Sequence, residues 1–221
     1  MKLEWVSHRL SLAIRFIDHF SRQPVADELP VRLADSLLRP VLRAGGGGRR
    51  QDDGAYRFIG APGGPARVLW RRPFARGHGP WMRWEPDPLL VLPLAEPAGL
   101  VDVELWPAAH AGAAPAATGV RGKLGGPQAG GQTVRIARAG QPFERYTRSD
   151  DSGNFLFLPA SPLTLDASGR VPLLIEVRAP DDTPRVVAGG SFVPADAGSA
   201  FAGAAFTVLP RVVSRLLFQL A

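Results

Sequence analysis

The stretch VLWRRPFARGHGPWMRWEP brings Trp70, Phe74, Trp81 and Trp84 together with Arg71, Arg72, Arg76 and Arg83, and Arg67 stands just before it. Tryptophan and arginine are the residue types most enriched where protein interfaces hold their binding energy. Flat rings interleaved with guanidinium groups also stack on bases or on sugar rings. Arg71, Arg72, Trp81, Arg83 and Trp84 are therefore the candidate partner-binding residues. A protein partner ranks first, a glycan is the alternative, and nucleic acid ranks behind both. The structural alternative is that Trp70 and one of Trp81 or Trp84 fill a domain core while the arginines line its rim.

Other chemistry is thinly represented. The histidines are His8, His19, His78 and His110, and no pair has the helical spacing, or the intervening glutamate, of a zinc protease. Asp150, Asp151, Ser152 and Asn154 form an oxygen-rich cluster, echoed by Asp52 and Asp53, without the ligand spacing of a calcium loop. No Gly-x-Ser-x-Gly elbow occurs, and no Gly-Lys-Ser/Thr follows Gly45–Gly48. The expectation is a non-enzymatic protein with no catalytic, metal or cofactor residues. Cysteine is absent, which removes disulfides and thiolate metal sites.

The chain has 221 residues and a formal charge of +6, with 26 lysines and arginines of which only Lys2 and Lys123 are lysines. A cationic surface attracts acidic partners, nucleic acid or lipid headgroups. A GC-rich coding composition accounts for the same excess of Arg, Ala, Gly and Pro. Charged residues interrupt the N-terminal segment, and no run reaches the ~18 apolar residues of a membrane helix. A cytoplasmic protein without membrane insertion is expected, with later release inside a larger particle left open.

One motif occurs twice. QDDGAYRFIGAP (51–62) matches SDDSGNFLFLPA (149–160): Gly54, Tyr56 and Phe58 fall on Gly153, Phe155 and Phe157 at a constant offset of 99. Upstream, Pro24, Val31 and Leu33 fall on Pro127, Val134 and Ile136 at an offset of 103. Two anchors in the same order argue for a duplicated domain of roughly 100 residues. Short alternating segments recur between turn residues, as in SLAIRFIDHF, LPVRLAD, LVDVELWP, QTVRIAR and VPLLIEVRA. Such spacing predicts an all-β chain of two tandem, seven-stranded-type antiparallel β-sandwiches. The expected division is 1–107, a linker at 108–117 without periodicity, and 118–221. The last segment, RVVSRLLFQL, fits a strand or a short amphipathic helix, and the strand is preferred by analogy with LVDVELWP.

In the second copy, TGVRGKLGGPQAGGQTVRI followed by TRSDDSGNFLFLP resembles the carboxypeptidase regulatory-like domain, also called transthyretin-like or peptidase-associated. The first copy resembles it more loosely, through RFIDHFSRQPVADELPVRL and QDDGAYRFIGAP, and has Arg15, Phe16 and Ile17 where the second opens with glycines. The resemblance implies a seven-stranded sandwich without an active site of its own, used as a spacer or docking module in larger proteins. A small protein built only of such domains also resembles accessory proteins encoded with phage-tail-like contractile injection systems. In the motif itself, Asp150 or Asp151 is expected to accept turn amides, Gly153 to take a positive φ, and Phe155 and Phe157 to enter the core.

Overall fold

The computed structural model describes residues 10–34, 38–70, 81–83, 88–92, 100–138, 140–143, 145–159, 163–194 and 200–221. These residues form strands and turns, and the chain divides into two units, Met1–Trp106 and Pro107–Ala221. The all-β expectation holds.

The first unit contains β1 (Leu10–Asp18), β2 (Arg32–Leu33), β3 (Ala55–Ile59), β4 (Gly64–Leu69), β5 (Trp81–Met82), β6 (Leu89–Leu92) and β7 (Leu100–Pro107). They build a sheet of order β3-β1-β7-β5 and a second of order β2-β4-β6. The strands form because apolar residues recur at every second position. Leu12, Ile14 and Phe16 of β1, Tyr56 and Phe58 of β3, and Val103 and Leu105 of β7 all turn inward. They meet Leu33, Val68, Trp70 and Leu92 from the other sheet in one buried cluster. This is sandwich packing. The opposite side of β1 is also covered, since Ala13, Ile17 and His19 are buried. That burial is why the alternation in SLAIRFIDHF looks imperfect.

The second unit contains β8 (Gly119–Gly125), β9 (Thr133–Arg138), β10 (Tyr146–Arg148), β11 (Asn154–Phe157), β12 (Val171–Arg178), β13 (Pro184–Arg185), β14 (Val187–Phe192), β15 (Phe201–Ala202), β16 (Ala205–Val208) and β17 (Val213–Leu220). One sheet has the order β10-β9-β12-β13, with β16 also on β12, and the other the order β11-β8-β17-β14-β15. Phe206 of β16 meets Phe218 of β17 edge-on at 5.4 Å, bringing the two sheets into contact. The C-terminal segment is a strand, with Ser214, Leu216, Phe218 and Leu220 inward. Residues 108–117 carry tight turns closed by Ala111 N–H to the Ala108 carbonyl and Ala117 N–H to the Ala114 carbonyl.

The two units share one wiring. The first strand of each pairs in parallel with the last, β1 with β7 and β8 with β17. Each first strand also pairs antiparallel with the strand that follows the doubled motif, β1 with β3 and β8 with β11. The motif turns agree bond for bond. Gln51 N–H donates to the Ala55 carbonyl and Asp150 N–H to the Asn154 carbonyl, both at 2.8 Å; Gly54 N–H donates to Gln51 and Gly153 N–H to Asp150, both at 2.9 Å. Gly54 and Gly153 have φ of 81° and 82°. The turn is therefore a four-residue turn closed by a left-handed residue, a geometry that glycine adopts without penalty. Asp150, rather than Asp151, accepts the amides, from Ser152 at 2.9 Å and from Asn154 at 2.8 Å.

The same turn occurs twice more in the second unit. At Asp166–Arg170 the carboxylate of Asp166 accepts the amides of Ser168 and Arg170, and Gly169 takes φ 74°. At Ala179–Thr183 the left-handed position is Asp182, with φ 67°. Recurrence within one unit shows that the turn is a general strand connector, and the parallel pairing of first and last strands is the more distinctive feature that the two units share.

Candidate functional site

Of the five predicted partner-binding residues, Trp81 and Arg83 are described, and Arg71, Arg72 and Trp84 lie outside the described residues. Trp81 sits on β5, which among the described residues is the outermost strand of its sheet. Its ring packs partly against the core cluster, and its indole N–H donates to the Asp27 carboxylate at 2.6 Å. Arg83 donates to the Glu104 carbonyl at 3.2 Å. Both are thus held by their own unit while remaining half-exposed. Trp70 is a core residue, buried beside Phe16 at a ring distance of 6.2 Å.

The neighbouring β6 adds residues that sequence reading passed over. Its pattern LLVL alternates cleanly: Leu90 and Leu92 face the core, whereas Leu89 and Val91 are 63% and 71% exposed. Across the ladder, Arg67 lies opposite Leu89 and Pro65 opposite Val91. Residues opposite one another in an antiparallel pair share a face, so Pro65, Arg67, Leu89 and Val91 form one outward strip. Among the described residues, β6 is the outermost strand of its sheet. An exposed apolar edge strand is a template for another chain unless something covers it. The signal in the sequence was a run of four apolar residues, which reads equally well as fully buried.

The other concentration of titratable groups is around His19. Its Nδ1 lies 2.9 Å from one Glu104 carboxylate oxygen, and Arg22 holds the other. A carboxylate–imidazole pair is a familiar orienting device in acid–base catalysis. Here the imidazole is stacked on Trp106 at 4.8 Å and meets Phe20 edge-on at 5.4 Å, so its faces are closed to a substrate. The pair ties β1 to β7. Burial pushes the Glu104 carboxyl up, but His19 and Arg22 together outweigh it and leave it below the usual glutamate value. A lowered carboxyl contributes stability above its unfolded pKa and loses it as pH falls through the folded one. The first unit should therefore lose stability as the pH falls below the ordinary glutamate value of about 4.3. Glu104→Gln should flatten the low-pH part of the unfolding free-energy profile by less than about 1 kcal/mol, since the carboxylate is well exposed. Identical profiles for the two proteins would show that the pair carries no such linkage.

Among the described residues, no group of three or more His, Asp or Glu side chains is placed to hold a metal ion. No helix among them is long and apolar enough to cross a membrane.

No protein-family model matches this chain, and no curated protein matches it. Among solved structures it is similar to the Bacillus anthracis TIE protein, with 9% identity and a TM-score of 0.32. That match takes in 98% of this chain and 35% of the other, so the chain spans about a third of that protein. It is also similar to a mutant form of the major pilin of Streptococcus pyogenes, with 7% identity, a TM-score of 0.21, and 96% and 97% of the two chains covered. Likenesses of this size carry no argument about activity or partners.

Proposed function

We propose that this protein is a non-enzymatic structural adaptor or assembly component that works through protein–protein contacts. The observation that carries the reading is the outward strip of β6, where Leu89 and Val91 stand 63% and 71% exposed on an outermost strand. Leaving two large aliphatic side chains in water forgoes about 1.5–3 kcal/mol each, which a partner's surface would recover. An edge strand of this kind accepts a strand from another chain, with backbone hydrogen bonds giving affinity and alternate side chains giving choice. The tryptophan–arginine segment that precedes β6 in the chain supplies the remaining contacts, through Arg71, Arg72, Trp81, Arg83 and Trp84. The two units are read as tandem domains of the carboxypeptidase regulatory-like type, acting in the cytoplasm or in a phage-tail-like particle assembled there.

The test is association in extracts of the native cell. The wild-type chain should migrate well above its own 23.6 kDa, bound to a partner. Leu89→Lys with Val91→Lys should return it to the monomer, because exposed positions tolerate substitution within about 0.5 kcal/mol of stability. Replacing Arg72, Trp81, Arg83 and Trp84 together with alanine should do the same, each hot-spot residue being worth about 2 kcal/mol. Association that survives both variants would place the interface elsewhere. A monomer that binds oligosaccharide through Trp81 would replace the adaptor reading with the glycan one.

A further inference from the structure

The outer face of the β8–β17 ladder in the second unit carries cations that form no ion pair among the described residues. Arg121 and Arg215 are direct partners across this parallel pair, and Lys123 follows two positions along β8, opposite Leu217. Residues two apart on a strand share a face. The equivalent first-to-last pair of the first unit is built differently. There Arg15 lies opposite Asp102 and donates to both of its carboxylate oxygens, from Nε and from Nη2, each at 2.8 Å. In the other sheet of the second unit, Arg135 likewise lies opposite Glu176, at 3.3 Å. Like charges directly opposite one another destabilise a sheet. The fold answers a cross-strand arginine with a carboxylate in both of those ladders, and at Arg121–Arg215 the carboxylate is missing.

The same place is a cleft. A cavity of about 490 Å³ opens over these residues, with Arg121, Lys123 and Arg215 among its lining. Ala109, Val193 and Leu217 give it apolar walls. Asp150 also lines the cleft, and its carboxylate is taken up by the turn, accepting from the Ser152 and Asn154 amides and from the Asn154 side chain at 3.2 Å. Arg121 donates to the Ala111 carbonyl at 2.6 Å, which fixes its guanidinium beneath the 108–117 segment. Burial, and then the neighbouring Arg215 charge, hold Arg121 below the usual arginine value. Among the described residues, no ion pair is formed by Arg121, Lys123 or Arg215.

We propose that this cleft binds an acidic peptide segment in extended conformation, whose carboxylates supply the counter-charges that Arg121, Arg215 and Lys123 lack. The spacing matches. Arg121 and Lys123 are about 6.6 Å apart along the strand, the separation of alternate side chains in an extended chain. A carboxylate between Arg121 and Arg215 takes the charge-assisted geometry that guanidinium groups prefer. The intervening peptide side chains lie on Leu217 and Val193. The site is on the second unit and does not depend on the β6 strip.

The test uses the full chain and a fluorescein-labelled Gly-Glu-Val-Glu-Val-Glu-Gly peptide, with its glutamine counterpart as control. Binding should favour the acidic peptide by about ten-fold or more and weaken with added salt. Arg215→Gln should lower affinity about ten-fold, whereas Arg211→Gln, an equal loss of charge at an exposed residue outside the cleft, should change it less than about two-fold. Arg215→Gln should also leave the melting temperature unchanged or higher, since it removes a repulsion. A purely structural arginine would lower it. Equal binding of the two peptides, or equal losses at Arg211 and Arg215, would overturn the proposal. Tighter binding of pyrophosphate or of a short oligothymidylate than of the peptide would overturn it in favour of a phosphate-bearing ligand.

Discussion

Phe58→Ala and Phe157→Ala should each destabilise their own unit by about 3–5 kcal/mol, the cost of emptying a buried aromatic site. Both rings are essentially inaccessible to solvent. Phe58 stands opposite Leu12 in the β1–β3 ladder, and Phe157 stands opposite Val120 in the β8–β11 ladder. Each therefore lies beside the central strands that join its unit's first and last segments. A loss this large is a sizeable part of the stability of a domain of roughly 100 residues. Denaturant melts of the two variants should show one early transition each, from different units. Losses below about 1 kcal/mol would mean that the cavities collapse or fill without cost, contrary to the packing described.

Gly153→Ala should cost about 2–5 kcal/mol, in two parts. The left-handed conformation costs an L-residue about 1–2 kcal/mol. A Cβ there would also lie 2.7 Å from the Leu124 carbonyl oxygen and 3.0 Å from the Ala129 methyl, and forcing such a contact costs about 1–3 kcal/mol more. Gly169 separates the two parts. It occupies the same position of the same turn at φ 74°, and a methyl added there would have nothing within 4 Å. Gly169→Ala should therefore lose only the conformational part. Equal melting temperatures for the two variants would show that the Leu124 contact relaxes freely, and that the glycine of the doubled motif is kept for its φ alone.

The parts of the fold that were legible in the sequence are those decided within a few residues. Alternation located the strands, and the Asp-Gly spacing located the motif turns, because both depend on neighbours along the chain. The C-terminal strand was readable for the same reason, through Ser214, Leu216, Phe218 and Leu220 at alternate positions. What could not be read is what strand pairing decides. Nothing local says that Gly119–Gly125 lies beside Val213–Leu220, so the juxtaposition of Arg121 with Arg215 was invisible. Gly122 shows the same limit. A Cβ on it would fall 2.1 Å from the Phe155 ring, so this glycine makes room for an aromatic of the adjacent strand. In the first unit the ring opposite is Tyr56 and the residue is Ile14, with a different packing solution. Of the candidate interface residues, Trp81 lies on β5, and its indole N–H is committed to Asp27, a partner from a distant turn that no local pattern pointed to.

The parallel pairing of first and last strands has a mechanical consequence. In the first unit the ladder runs from Ala13–Leu100 to Asp18–Leu105, and in the second from Val213–Gly119 to Gln219–Gly125. The chain enters each unit at one end of this ladder and leaves at the other. Tension applied through the chain therefore pulls the two strands lengthwise past each other. The hydrogen bonds of the ladder bear that load together, as bonds in shear, and cannot be opened one at a time as in a peeled hairpin. Each unit resists stretching along the direction in which the polypeptide passes through it.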